Sequence, residues 1–269
     1  MPYLVRHAHA GDKRAWLGPD AVRPLSTPGR REAHGLLTRL RDHPITRILS
    51  SPAVRCLQTV EPLARRRGLA TLRAMEGEFD EARAMIARAR RDMVERWRFR
   101  RPLMWAARSS AAVETLAGDI EGSERELRAA LQMALSFRER EPVARIAAGL
   151  SRVLSLRDRS SEADGFATMS LDYSPAEGAA AQALWRAARA LVMVSRDRHS
   201  EAERLAREAV GLAPAEMLNL RADLLMDLAG VLLSAGQRAR AQPVIAEAVE
   251  RYERKGNLVS AARARSFGD

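Results

Sequence analysis

The sequence predicts a mainly α protein, an α-α helical-repeat solenoid preceded by a short, truncated α/β segment of β-α-β-α order. Three observations carry this. Apolar runs of strand length stop at about residue 70. From Leu72 to Phe267 the apolar residues instead recur with the 3.6-residue spacing of amphipathic helices. Within that stretch a turn-like hexapeptide returns five times at nearly constant spacing. The domain reading is therefore 1–70 for the α/β segment and 71–269 for the repeat array.

In the first segment, Pro2 to Arg6 and Ile45 to Ser50 are short apolar runs, while Thr27 to Arg41 and Ala53 to Arg67 have helical spacing. Turn chemistry agrees with these bounds. "STPG" (Ser26 to Gly29) offers a hydroxyl N-cap followed by proline, and "SSPA" (Ser50 to Ala53) offers Ser51 as N-cap with Pro52 at the first helical position. A β-α-β-α order opens a parallel α/β sheet.

The array follows from five aligned stretches: "GEFDEA" (Gly77 to Ala82), "GDIEGS" (Gly118 to Ser123), "DRSSEA" (Asp158 to Ala163), "DRHSEA" (Asp197 to Ala202) and "GQRARA" (Gly236 to Ala241). Their last positions are 41, 40, 39 and 39 residues apart. Each marks a turn between two helices, and the small last residue suits a close helix-helix approach. Stacked hairpins of this kind bury one another's apolar faces. About five hairpins and a closing helix from Leu258 to Phe267 account for the length.

Composition narrows the function. No apolar run nears the ~18 residues of a membrane span, and the first ten residues lack a signal-peptide layout, which points to the cytoplasm. The single Cys56 excludes an internal disulfide and reads as a small buried side chain. No zinc pattern or cofactor motif occurs. The net charge of +11 is concentrated in residues 1–70, which hold +8 of it. Those arginines spread over both helices, and aromatic residues are only 4%, so nucleic acid is disfavoured as a partner. Met75, Met85, Met93, Met104 and Met133 read as core fillers. Trp97, Trp105 and Trp185 are either core aromatics or groove anchors.

Chemistry is concentrated at "LVRHAHAG" (Leu4 to Gly11), where a histidine ends an apolar run. Such an imidazole can attack phosphorus and split hydrolysis into two transfers. With "RPLSTPGRREA" (Arg23 to Ala33) and "SSPAVRCLQTVEPLA" (Ser50 to Ala64), this block resembles the histidine phosphatase (phosphoglycerate mutase-like) superfamily, and in particular its SixA-type phosphohistidine phosphatase branch. The resemblance covers the first quarter of the chain. It implies His7 as nucleophile and Arg6 and Arg55 as ligands of the phosphoryl oxygens, with the amino terminus of the second helix adding donors. Ala8 stands where the broader superfamily has glycine.

The family's second half is missing from the pattern. It would bring more strands, a second histidine and a general acid. The remaining histidines, His34, His43 and His199, lack the expected context, and Glu32 and Glu61 read as helix-surface residues. An absent acid forfeits ~10²–10⁴ in rate, so the site reads as truncated and turnover is disfavoured. The repeats, above all "HSEAERLAREAVGLA" (His199 to Ala213) and "AVERYERKGNLVSAARAR" (Ala248 to Arg265), resemble the tetratricopeptide-like arrays of bacterial multidomain regulators. Their period exceeds the ~34 residues of a standard unit. That resemblance implies a protein or peptide partner in the repeat groove, with a phosphorylated ligand at the N-terminal segment. The alternative is a phosphohistidine phosphatase or phosphomonoesterase using His7.

Overall fold

A computed structural model describes residues 5–18, 20, 23–40, 42–43, 48, 54–67, 69–92, 100–215 and 217–267. The chain divides into two compact units, Met1–Leu69 and Ala70–Asp269.

The first unit holds α1 (Thr27–Arg39) and α2 (Val54–Arg67), packed against each other. The N-cap expected at Ser26 is present: its hydroxyl accepts from the Gly29 amide at 3.2 Å, and Pro28 follows in the first turn. The helix stops at Arg39, two residues before the expected end. The cap expected at Ser51 and Pro52 lies outside the described residues, as does most of both expected strands. The described parts of those strands, Val5, Arg6 and Ile48, carry no strand pairing.

Residues 5–12 instead run as an irregular segment laid on α1. The amide and hydroxyl of Ser26 both donate to His9 O, at 3.0 Å each. Gly29 permits this approach, because a Cβ there would stand 1.9 Å from His9 O. Ala8, Ala10, Leu25 and Ala33 form the small core beneath it.

The second unit is an array of hairpins: α3 (Leu69–Met75) with α4 (Phe79–Asp92), α5 (Arg100–Ala117) with α6 (Ile120–Ser136), α7 (Arg140–Ser155) with α8 (Ser160–Tyr173), α9 (Ala179–Val194) with α10 (His199–Leu212), and α11 (Leu218–Ser234) with α12 (Arg238–Lys255). It closes with α13 (Leu258–Arg265).

The first residue of each repeated hexapeptide, Gly77, Gly118, Asp158, Asp197 and Gly236, has positive φ. The amide of the next residue reaches back five positions to the end of the preceding helix, as Asp119 N to Glu114 O and Arg198 N to Met193 O. Only glycine, asparagine or aspartate adopts that conformation readily, which fixes the repeat's opening letter. The last residue of each hexapeptide, Ala82, Ser123, Ala163, Ala202 or Ala241, is wholly buried. A larger side chain there would push the two helices of its hairpin apart.

Successive hairpins are joined by carboxylate-arginine pairs that recur with the repeat. Glu124 on α6 accepts from Arg157 and Arg159 of the next turn, Asp164 on α8 from Arg196, and Glu203 on α10 from Arg240. Burial pushes the Glu124 carboxyl up, but hydrogen bonds from Arg128 and Arg157 outweigh it and hold the group below its ordinary range.

The array also curls back on itself. Arg152 on α7 pairs with Asp227 on α11 at 2.9 Å, past the intervening α9. Asn219 on α11 donates to Met75 Sδ, and Arg263 on α13 donates to the carbonyls of Thr115 and Leu116 at the end of α5. A guanidinium on the last carbonyls of a helix satisfies acceptors the helix leaves open and complements its dipole.

Among the described residues no helix is long and apolar enough to cross a membrane. Met75 and Met104 are buried, while Trp105 and Trp185 pack on core clusters with Arg108 and Arg186 stacked on their rings. Trp97 and Met93 lie outside the residues whose side chains are described.

Candidate functional site

The segment Val5–Ala8, the middle of α1 and Thr59 of α2 enclose a cavity of about 660 Å³. Arg6 and His7 both line it, so the structure brings two of the three expected site residues together. His7 is half-buried, and its Nδ1 lies 2.9 Å from Ala8 O. A carbonyl can only accept, so Nδ1 carries the proton and the lone pair of the neutral ring sits on Nε2. That is the tautomer an attacking imidazole needs.

Two residues that sequence reasoning passed over hold this segment in place. Thr59 Oγ1 accepts from the Ala8 amide at 2.9 Å and donates to Arg55 O one turn earlier. Gln58 Oε1 accepts from the Leu25 amide. Both sit in "CLQTV", and nothing in one sequence distinguishes such a threonine from any helix-surface residue. His9 has a positional task as well: its amide donates to Glu32 Oε2 at 2.8 Å, and its ring lies 2.7 Å from Ser26 Oγ.

Arg55, the third expected residue, is engaged elsewhere. Its Nη1 donates to Asp20 O at 2.6 Å and its Nη2 to Asp20 Oδ2 at 3.0 Å, while its Nε is buried with no partner among the described residues. Arg23 donates to the other Asp20 oxygen at 2.9 Å and to the carbonyls of Ala10 and Gly11. The hydrogen bond from Arg23, with the Arg55 charge behind it, holds the Asp20 carboxyl below its ordinary range. Asp20 is therefore an anion held between the guanidinium groups of Arg23 and Arg55.

Among the described residues His7 is the one histidine lining the cavity. His34 is exposed on α1, and His199 belongs to the other unit. Glu32 lines the cavity, spending one oxygen on the His9 amide. Glu61 lies in α2, and its side chain is outside the described set. No group of three or more His, Cys, Asp or Glu gathers among the described residues in a way that could hold a metal ion.

Residues 2–129 match the histidine phosphatase superfamily (branch 1). The match crosses the boundary between the two units and runs into α6. Beyond His43 the matched stretch contains no histidine. An 8-oxo-(d)GTP phosphatase of Mycolicibacterium smegmatis is 41% identical over 61 residues, which are 23% of this chain. The chain spans only 19% of that relative's length. In fold the chain is similar to BtubC (BKLC) from P. vanneervenii, with a TM-score of 0.53 at 17% identity, covering 84% of this chain and 89% of that one. A weaker likeness, TM-score 0.44 at 16% identity, links 74% of this chain to 96% of a Podosopora anserina protein with nearly identical TPR-like repeats, assigned as a kinesin light chain.

Proposed function

We propose that this chain, a histidine-phosphatase-like N-terminal region followed by a tetratricopeptide-like array, is a protein-interaction scaffold that recognises a phosphoryl group without hydrolysing it. The observation that carries the reading is the pairing of Arg55 with Asp20. Arg6 and His7 remain open on the cavity and suffice to hold an anion. The guanidinium that should gather transition-state charge is spent on an internal carboxylate, and among the described residues no acid is placed to protonate a leaving group. A site of that kind binds and does not turn over. The curled array supports the scaffold half, because repeat hairpins expose inner helix faces to a partner over a long surface.

A second reading rests on the His7 tautomer. In a phosphomonoesterase, Nε2 would bond to phosphorus as the P–O bond to the leaving group breaks and its electron pair departs on that oxygen. Water would then displace the phosphoryl group from Nε2, releasing phosphate. The named relative suggests a nucleotide as one substrate class for this alternative.

Calorimetric titration of the full chain with inorganic phosphate tests the main reading. Arg6→Ala should abolish binding. Asp20→Asn keeps the acceptor for Arg23 but removes the charge opposing phosphate, and should tighten binding. Unchanged affinity in both variants would remove the cavity from the account.

A further inference from the structure

The cavity beside His7 extends well past the phosphoryl-binding pair, along one face of α1. Arg31, Gly35 and Arg39 all line it, and they lie at positions i, i+4 and i+8 of the helix. At the helical rise of 1.5 Å per residue the two arginines stand about 12 Å apart along the axis. Between them the wall is open, since a Cβ on Gly35 would meet nothing within 4 Å.

Both arginines are exposed, and among the described residues neither side chain forms an ion pair or hydrogen bond; the same holds for the Arg6 side chain. That sets them apart from Arg23 and Arg55 in the same unit, which are fully engaged with Asp20 and backbone carbonyls. Helix stability does not explain Arg31, because α1 has no acidic residue in its first turn for a neighbouring cation to pair with. Glu32 is the one carboxylate among the described residues lining the cavity. With Arg6, Arg31 and Arg39 it leaves an excess of two positive charges facing the space.

We propose that Arg31 and Arg39 form a second anion subsite, so that the cavity selects ligands carrying a phosphoryl group next to Arg6 and His7 and a further phosphate along α1. The ligand class is an extended polyphosphate or a bisphosphorylated compound, because the cavity runs from Arg6 and His7 past two arginines set two helical turns apart on α1. The inference rests on the phosphoryl-binding reading of Arg6 and His7 and names the kind of ligand that site takes.

The test compares inorganic tripolyphosphate with inorganic orthophosphate as titrants of the full chain at ~0.15 M salt, where long-range surface attraction is largely screened. The wild type should bind tripolyphosphate about tenfold or more tighter than orthophosphate. Arg31→Gln/Arg39→Gln should erase that preference and leave orthophosphate affinity unchanged, while Arg31→Lys/Arg39→Lys keeps part of it. Both pairs are exposed substitutions, and circular dichroism checks that α1 persists. Orthophosphate binding without a tripolyphosphate preference, or a preference that survives in the glutamine pair, overturns the subsite and leaves the phosphoryl-binding reading standing. Loss of orthophosphate affinity in the glutamine pair also overturns it, by placing the two arginines in the phosphoryl site itself. Failure of orthophosphate to bind the wild type at all removes the underlying reading, and the subsite with it.

Discussion

Replacing Asp227 by alanine strikes the contact that closes the array's curvature. Asp227 on α11 has a side chain only 8% exposed, and it holds the Arg152 guanidinium of α7 at 2.9 Å. Asp223, one turn earlier, accepts the Tyr252 hydroxyl at 2.6 Å and adds its charge to the same cluster. Removing one partner of a buried pair typically costs ~3–5 kcal/mol, because the other charge is left uncompensated. Here the Arg152 side chain is 37% exposed, so water screens part of the loss, and Asp223 supplies part of the missing field. A cost of about 2–3 kcal/mol follows for Asp227→Ala. In a unit of this size that lowers Tm by about 4–12 °C. Thermal unfolding followed by far-ultraviolet circular dichroism reads it directly. Arg152→Met/Asp227→Leu removes both charges together and should recover most of the loss. A Tm for Asp227→Ala within about 1 °C of wild type would refute the reasoning, as would a double variant that loses the sum of the two singles.

Other consequences are as direct. Gly29→Ala forces a methyl to within 1.9 Å of His9 O, so the segment carrying His7 must shift; a cost of ~1–3 kcal/mol and loss of phosphate binding are expected. Gly35→Ala, where the same methyl meets open space, should leave Tm unchanged or slightly raised. Glu124 has a folded-state pKa below its ordinary 4.5, so its ionised form stabilises the fold above that value and the contribution is lost as pH falls through the depressed one. The Tm gap between wild type and Glu124→Gln should therefore be widest near neutral pH and narrow steadily below about pH 4.5. A gap that stays constant down to pH 3 would mean that the Glu124 charge contributes nothing.

The array was legible because its constraints are local. A helix that ends in a left-handed residue needs glycine or an equivalent, and five such positions at spacings of 39 to 41 residues announce themselves as Gly77, Gly118, Asp158, Asp197 and Gly236. The buried small residue five positions later belongs to the same local grammar. Contacts set by the path of the chain were not legible. Arg55 meets Asp20 across 35 residues, and Arg152 meets Asp227 past a whole intervening hairpin. Nothing in either neighbourhood marks these partners among many arginines and carboxylates. The motif around His7 carried the family resemblance, and the resemblance supplied Arg55 as an expected phosphoryl ligand. Its pairing with Asp20 depends on how the segment between His9 and Ser26 folds over α2, which helix periodicity does not report. The α1 arginines escaped notice for a different reason: exposed cations at i and i+8 look like ordinary helix surface until a cavity is seen beside them.

The most direct test of the central claim is phosphate release from a phosphohistidine peptide by the full chain, with His7→Ala and Asp20→Asn run beside it. Release from wild type and His7→Ala at the same background level, together with measurable phosphate binding by the wild type, is the predicted result. Release by the wild type that disappears in His7→Ala would contradict the account and make this chain a working phosphatase.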